Sequence, residues 1–322
     1  VAKNQRPDGI PSYEGRPLAR PPRDVVDQGL AFDIGTLLSR RRLLSLVGLG
    51  AATAGLAACG SGSGSATSTG ASHGSATAGS TASTSTSAAS GEIPQETAGP
   101  YPGDGSNGPD VLQQSGVVRG DIRSSFGTAS GTAGGVPMTV ELTIADLAGG
   151  GGAFTGVAVY VWHCDREGRY SMYSKGVTDQ NYLRGVQIAD ASGKVRFTSI
   201  FPACYSGRWP HVHFEAYPDQ ASITDATKAI ATSQVALPKD ICDQVYAQAG
   251  YEASVTNLAR VGLTSDGVFG DDGGAHQLAT VTGAVTTGYT VSLAVGVDTT
   301  TSPGSGQSAG MPGGPSPGGQ PG

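Results

Sequence analysis

His211 and His213 stand two residues apart in Trp209-Pro210-His211-Val212-His213-Phe214. In a β-strand such residues project from one face, so both imidazoles can reach a single metal ion. The pair alone is half a site and is equally compatible with a structural or surface role. It also leaves the metal open, because imidazole suits zinc, copper, nickel and iron alike. Just upstream, Tyr205 lies in a tight Tyr-Ser-Gly turn and Arg208 sits three residues ahead of His211. A second glycine-supported tyrosine, Tyr170, closes the segment Trp162-His163-Cys164-Asp165-Arg166-Glu167-Gly168-Arg169-Tyr170-Ser171. No carboxylate or thiol pattern completes the set as a zinc site would prefer, and no C-x-x-C spacing is present.

Other residues have blander readings. Trp162 reads as core, and His163, pointing to the opposite side of the same strand, as structural. Asp165, Arg166 and Glu167 read as a solvated turn, and Asp271 and Asp272 as a loop rather than a calcium site. His73 and His276 lie in small-residue segments that suggest no role for them.

The elements that must position these side chains are strands. Runs with a period near two, rich in β-branched residues and bounded by Gly, Pro or Asp, occur at Met138–Ile144, Gly156–His163, Lys194–Phe201, His211–Tyr217, Leu278–Val285 and Tyr289–Val297. With turns such as Ala191-Ser192-Gly193 and Thr286-Thr287-Gly288, they predict an all-β fold, an antiparallel β-sandwich with few short helices. The best helix spans Pro238–Leu258, with Ile241, Val245, Tyr246 and Val255 as its apolar stripe. No P-loop or dinucleotide fingerprint is present, which counts against nucleotide-dependent chemistry.

Composition sets the boundaries of the domain. From Gly60 to Gly91 every residue is Gly, Ser, Ala or Thr except His73, a flexible tether by composition. From 298 to 322 the chain is again mostly Gly, Pro, Ser and Thr with almost no apolar residue, which predicts a disordered tail. One globular part remains, over 92–297. A formal net charge of −6, with no Lys/Arg cluster outside the N-terminal region, argues against a nucleic-acid partner. Residues 39–59 read as an export signal: Ser39-Arg40-Arg41-Arg42-Leu43-Leu44 is similar to the twin-arginine pattern, and a short apolar run follows it. That run ends in Leu56-Ala57-Ala58-Cys59, similar to a lipobox, so Cys59 is expected to carry the lipid that holds the protein at a membrane surface. An ordinary signal peptide with a chance cysteine is the alternative. The polar extension 1–38 is given no function, and because no Met precedes Met138, Val1 reads as a non-standard or mis-called start. Of the remaining cysteines, Cys164, Cys204 and Cys242, an exported protein would most simply pair two, with Cys204–Cys242 preferred.

With the W-x-x-x-x-x-G-x-Y-S segment at Trp162–Ser171 and the Y-x-x-R-x-x-H-x-H segment at Tyr205–His213, the chain resembles the intradiol ring-cleavage dioxygenases, the catechol 1,2- and protocatechuate 3,4-dioxygenase family. The likeness is to secreted, single-domain actinobacterial-type members and extends from roughly Ile93 to Val297. Glu96-Thr97-Ala98-Gly99-Pro100-Tyr101 also looks like that family's substrate-side T-x-G-P-Y element. The resemblance implies non-haem Fe(3+) held by Tyr170 and His213 in equatorial positions and by Tyr205 and His211 in axial ones. It implies that a catechol binds as a dianion and displaces Tyr205, which takes up a substrate proton. Both atoms of O2 then enter between the hydroxyl-bearing carbons, giving a cis,cis-muconate-type diacid. Arg208 would stabilise negative charge developing on the substrate, and Tyr101, Gln234 and Arg208 would contact it. The chain lacks the long helical N-terminal region associated with dimeric catechol 1,2-dioxygenases, so a homodimer is left open. Export suggests catechols met outside the cell.

Two other readings compete: a non-catalytic extracellular β-sandwich binding module that retains the motif, and a copper or zinc enzyme built on His211 and His213.

Overall fold

Alternation with a period of two builds most of the molecule. The structure, a computed structural model, describes residues 91–301 together with Ala89 and, near the N-terminus, the backbone of three short strands. These strands, β1 (Asn4–Gln5), β2 (Pro11–Tyr13) and β3 (Arg16–Pro17), pair as an antiparallel meander. The predicted signal 39–59 with Cys59, nearly all of the tether and the tail after 301 lie outside the described residues.

Strand β4 (Pro137–Asp146) buries Met138, Val140, Leu142 and Ile144 while the residues between them stay partly exposed, the pattern of a strand with one face on a core. It pairs with β5 (Gly152–Ala153) and β8 (Lys194–Ile200) on one edge and β12 (Gly288–Val297) on the other, and β12 in turn pairs with β11 (Thr280–Ala284). The second sheet has the order β10 (Ala231–Ala236), β9 (His211–Tyr217), β6 (Ala158–Trp162), β7 (Arg184–Ile188), antiparallel throughout. Val140 and Leu142 of one sheet and Val161, Val212 and Phe214 of the other belong to one buried cluster, the core of a β-sandwich.

The second sheet is also covered on its outer face. There Ala158, Tyr160 and Trp162 of β6 join Ala98, Tyr101, Val111 and Tyr170 in a separate buried cluster, formed with the 98–112 arm and the 164–173 loop. Both faces of β6 and β9 are therefore buried. The expected strands are all present, but the β4–β12 pairing is parallel rather than antiparallel. Strands β7 and β10 carry Arg184, Ser233 and Gln234, whose burial against polar partners breaks the apolar alternation that announces a strand.

The predicted single helix is two, Lys239–Tyr246 and Glu252–Leu258, separated where Gly250 takes φ 92°. Val245 and Tyr246 are buried as expected, but Val255 is 54% exposed, because the break rotates the second helix out of the predicted stripe. The expected Cys204–Cys242 disulfide is absent: Cys164, Cys204 and Cys242 are buried free thiols. The Sγ atoms of Cys204 and Cys242 face different backbone carbonyls, those of Arg208 and Leu237. At the 191–193 turn Gly193 has φ 75°, and a Cβ there would lie 2.3 Å from the Ile144 carbonyl oxygen, so no other residue fits without backbone movement. Among the described residues no helix is long and apolar enough to cross a membrane.

Leu142, fully buried, and Val255 test this assignment of inside and outside. Leu142→Ala is expected to cost about 2–5 kcal/mol in denaturant unfolding, whereas Val255→Ala should stay within about 0.5 kcal/mol of the parent.

Candidate metal and active site

Strand β9 sends Val212, Phe214 and Ala216 into the sandwich core, and the same alternation puts His211 and His213 together on the covered outer face. Cross-strand register then sets their neighbours: Trp162 of β6 and Gln234 of β10 both stand opposite His213, and Arg184 of β7 stands opposite Trp162. The Trp162 and His213 rings stack at 4.9 Å with 5° between planes, so Trp162 is core, as expected, but core that touches a candidate ligand. Behind His213 the arm comes so close that a Cβ on Gly99 would lie 3.3 Å from the His213 Cε1.

Tyr170 arrives on a turn that Asp165 organises. The Asp165 carboxylate accepts from the backbone N–H groups of Glu167 and Arg169 at 3.0 and 2.9 Å, from the Arg169 Nε and from the Tyr182 hydroxyl. Asp165 is buried, which corrects its reading as part of a solvated turn; Arg166 and Glu167 do face solvent in an exposed ion pair. Gly168, with φ 82°, lets this turn approach Tyr205, to within 3.3 Å of whose Cβ a Gly168 Cβ would fall. Tyr205 follows Cys204, whose N–H donates to Ser254 Oγ and whose carbonyl accepts from Asn257 Nδ2, so the second helix anchors the loop. His163 is structural as predicted, bonded through its ring nitrogens to Cys164 O and Ser199 Oγ.

The predicted residues converge. The Tyr205 hydroxyl lies 3.2 Å from His211 Nε2, which lies 3.1 Å from His213 Nε2. The Tyr170 ring stands 6.0 Å from that of Tyr205 and 6.2 Å from that of His213, and its buried hydroxyl has no hydrogen-bond partner. Tyr101 packs its ring against Tyr170 and Tyr173, 5.0 Å from each. Arg208 donates from Nη2 to Gln234 Oε1 at 2.7 Å, while Gln234 Nε2 donates to Thr97 O at 3.0 Å, which ties the arm to the site floor.

Asp266 belongs to the site and is silent in the sequence. Its carboxylate accepts from Arg208 Nε at 3.0 Å and from the backbone N–H groups of Trp209, Val268 and Phe269, with both charged partners buried. Burial alone would raise its pKa, but the Arg208 charge and these N–H groups hold it below the usual carboxylate range. Asp266 lies in a Thr-Ser-Asp-Gly loop 58 residues after Arg208, and no spacing links the two.

The electrostatics favour metal ligation. Burial, then the Arg208 charge, lowers His211 to about 3, and burial and His211 hold His213 well below its ordinary value, so both imidazoles are neutral. His211 Nδ1 lies 2.5 Å from the Trp209 carbonyl, which can only accept, leaving the Nε2 lone pair free to ligate. Burial pushes the Tyr170 phenol well up, so its phenolate needs a cation beside it. Among the described residues no group of three or more His, Cys, Asp or Glu side chains gathers as a metal site, so a metal here would need the tyrosines. An orphaned buried phenol, a second phenol and two facing imidazole nitrogens form a mixed oxygen and nitrogen donor set that fits a hard trivalent cation.

Known proteins resemble this chain in sequence over part of its length and in fold. A family model described as Dioxygenase matches residues 107–219, the stretch that contains Tyr170, Tyr205, Arg208, His211 and His213. In sequence pattern over these residues and in fold, the chain resembles the intradiol ring-cleavage dioxygenase family. It is 38% identical over 55 residues to a chlorocatechol 1,2-dioxygenase from Rhodococcus opacus, a match covering 17% of this chain and only 21% of that relative's length. An intradiol ring-cleavage dioxygenase from Tetranychus urticae shares the fold, with TM-score 0.50 and 20% identity over 65% of this chain and 95% of the other. A second solved dioxygenase gives TM-score 0.52 and 19% identity over the same shares.

Asp266→Ala would leave the Arg208 cation buried without its carboxylate. It is expected to lower the unfolding free energy by about 3–5 kcal/mol, read by denaturant titration; a loss under about 1 kcal/mol would show the pair to be no more than a surface-like contact.

Proposed function

We propose that this protein is a non-haem iron(III) intradiol dioxygenase that inserts both atoms of O2 into a catechol between its hydroxyl-bearing carbons, giving a cis,cis-muconate-type product. The observation that carries this reading is the convergence of the Tyr205 hydroxyl, His211 Nε2 and His213 Nε2 within 3.2 Å steps beside the orphaned Tyr170 hydroxyl. Tyr170, Tyr205, His211 and His213 would hold the iron. Bound ferric iron would draw electron density from the catecholate ring and so open it to dioxygen.

The protein's own groups do the rest. Tyr170 is fully enclosed, whereas Tyr205 is half-buried on a Ser206-Gly207 turn, which makes it the ligand able to move aside. Its Oη is then the base that receives a catechol proton. Arg208, fixed by Asp266 and Gln234, is a pre-oriented cation for negative charge that develops on the substrate carbon, and needs no reorganisation at the moment of reaction. Tyr101 walls the substrate side, and Gln234 sets the position of Arg208 as much as it faces substrate. A binding module would have no use for a buried, neutral donor set of this kind.

A visible spectrum of the full, as-isolated protein tests the reading. A broad tyrosinate-to-iron band that shifts on anaerobic addition of catechol is expected; a protein that stays colourless after iron reconstitution overturns it. Tyr170→Phe and His213→Ala should lower iron content, while Arg208→Ala should keep iron and lose about 10²–10³ in turnover, as removal of one transition-state charge stabiliser does.

The address is part of the proposal: export by the twin-arginine route, which carries folded proteins, and lipidation at Cys59 within the 39–59 signal. Cys59→Ala is expected to move the protein from the membrane fraction to the soluble one on cell fractionation. Retention after that change would remove the anchor.

A further inference from the structure

We infer that Arg184 is a positioning residue that clamps the substrate-side arm to the loop bearing Tyr170 and so sets the separation of the catechol wall from the metal ligand. The inference rests on the iron-site reading above and deepens it. Arg184 is 1% exposed and heads strand β7, in the cross-strand row that runs through Trp162 and His213 to Gln234. A buried arginine ordinarily faces a carboxylate. None of its hydrogen bonds goes to one. Nε donates to Ser171 Oγ at 3.1 Å; Nη1 donates to Pro102 O at 2.7 Å and to Tyr160 Oη at 3.0 Å; Nη2 donates to Tyr101 O at 2.8 Å and to Ser171 O at 3.1 Å. All the N–H groups of the planar fork are used.

These acceptors divide into two sets. Tyr101 and Pro102 belong to the arm, whose Tyr101 ring walls the substrate side, and Ser171 directly follows Tyr170. One rigid guanidinium thus spans both, and Tyr160 braces it by donating its own hydroxyl to Pro102 O at 2.7 Å. The fit leaves no slack: Gly103 has φ 69°, and a Cβ there would lie 2.7 Å from Arg184 Nη1. Beside it, Gly103 N–H donates to the Tyr173 hydroxyl at 2.9 Å, a second stitch between arm and loop, and the Arg184 guanidinium carbon lies 5.4 Å from the centre of the Tyr173 ring. Tyr101 and Tyr170 keep ring centroids 5.0 Å apart because the backbone of Tyr101 and that of Ser171, next to Tyr170, are tied to the same group. Arginine is required by shape: lysine keeps the charge but offers a point donor on a flexible stem and cannot bridge two segments in one plane.

The test compares Arg184→Lys with Tyr160→Phe, a milder variant that removes one brace and keeps the ring, in the full iron-loaded protein. Arg184→Lys is expected to retain iron, to shift the charge-transfer band and to raise KM for catechol about tenfold, with a smaller change in kcat, as misplacement of a substrate wall should. Tyr160→Phe should move the same quantities in the same direction by less. Amide hydrogen exchange should rise together at 99–103 and 170–174 in Arg184→Lys while the inter-sheet core stays protected. A variant with the parent's spectrum, KM and exchange overturns the clamp, and so does a uniform rise in exchange with KM unchanged. If the parent protein itself shows no iron band, the iron reading fails, and the paired exchange response still decides the clamp.

Discussion

Strand β9 is buried on both faces, and the site depends on that constraint. One face cannot shift without opening the sandwich core, where Val212 and Phe214 pack, and the other carries His211 and His213. Imidazoles on an exposed strand could turn and slide; here Trp162 stacks on His213, Gly99 closes behind it, and the Trp209 carbonyl fixes the His211 tautomer. The ring nitrogens are therefore held in place by packing that does not depend on any metal, which keeps the candidate site rigid.

Building a polar site on the outer face of a sheet requires a cover, and the cover has its own polar cost. The arm at 96–104 and the loop at 164–174 bring backbone carbonyls and hydroxyls out of water, and each must find a partner. Two buried arginines meet that demand in different ways. Arg208 is paired with Asp266 and reaches Gln234, so its guanidinium is held in one orientation at the site. Arg184 is spent on neutral acceptors and joins arm to loop. Gln234 completes the enclosure by linking Arg208 to Thr97. Among the described residues four buried side-chain polar atoms lack a partner: the Tyr170 hydroxyl and His213 Nδ1, on proposed ligands, and Trp162 Nε1 and Gln277 Oε1, which are not on ligands.

Features whose signal is local could be read directly from the order of residues. Strand periodicity located β4, β6, β8, β9, β11 and β12, since side chains alternate with a period set by backbone geometry alone. The spacing of His211 and His213, with Tyr205 and Arg208 just upstream and Tyr170 in its glycine turn, likewise pointed to the residues that converge. Tertiary structure decided what depends on partners distant in the chain. Strands β7 and β10 were hidden because Arg184, Ser233 and Gln234 are buried against polar groups rather than apolar ones, and local pattern cannot foresee such pairing. Asp165 looked like a solvated turn because its carboxylate is enclosed by Tyr182 from another loop. The three thiols stayed unpaired because the fold points Cys204 and Cys242 at different carbonyls. Asp266 could not be read at all, for an ion pair across 58 residues is made by the closing of the fold and leaves no trace in spacing.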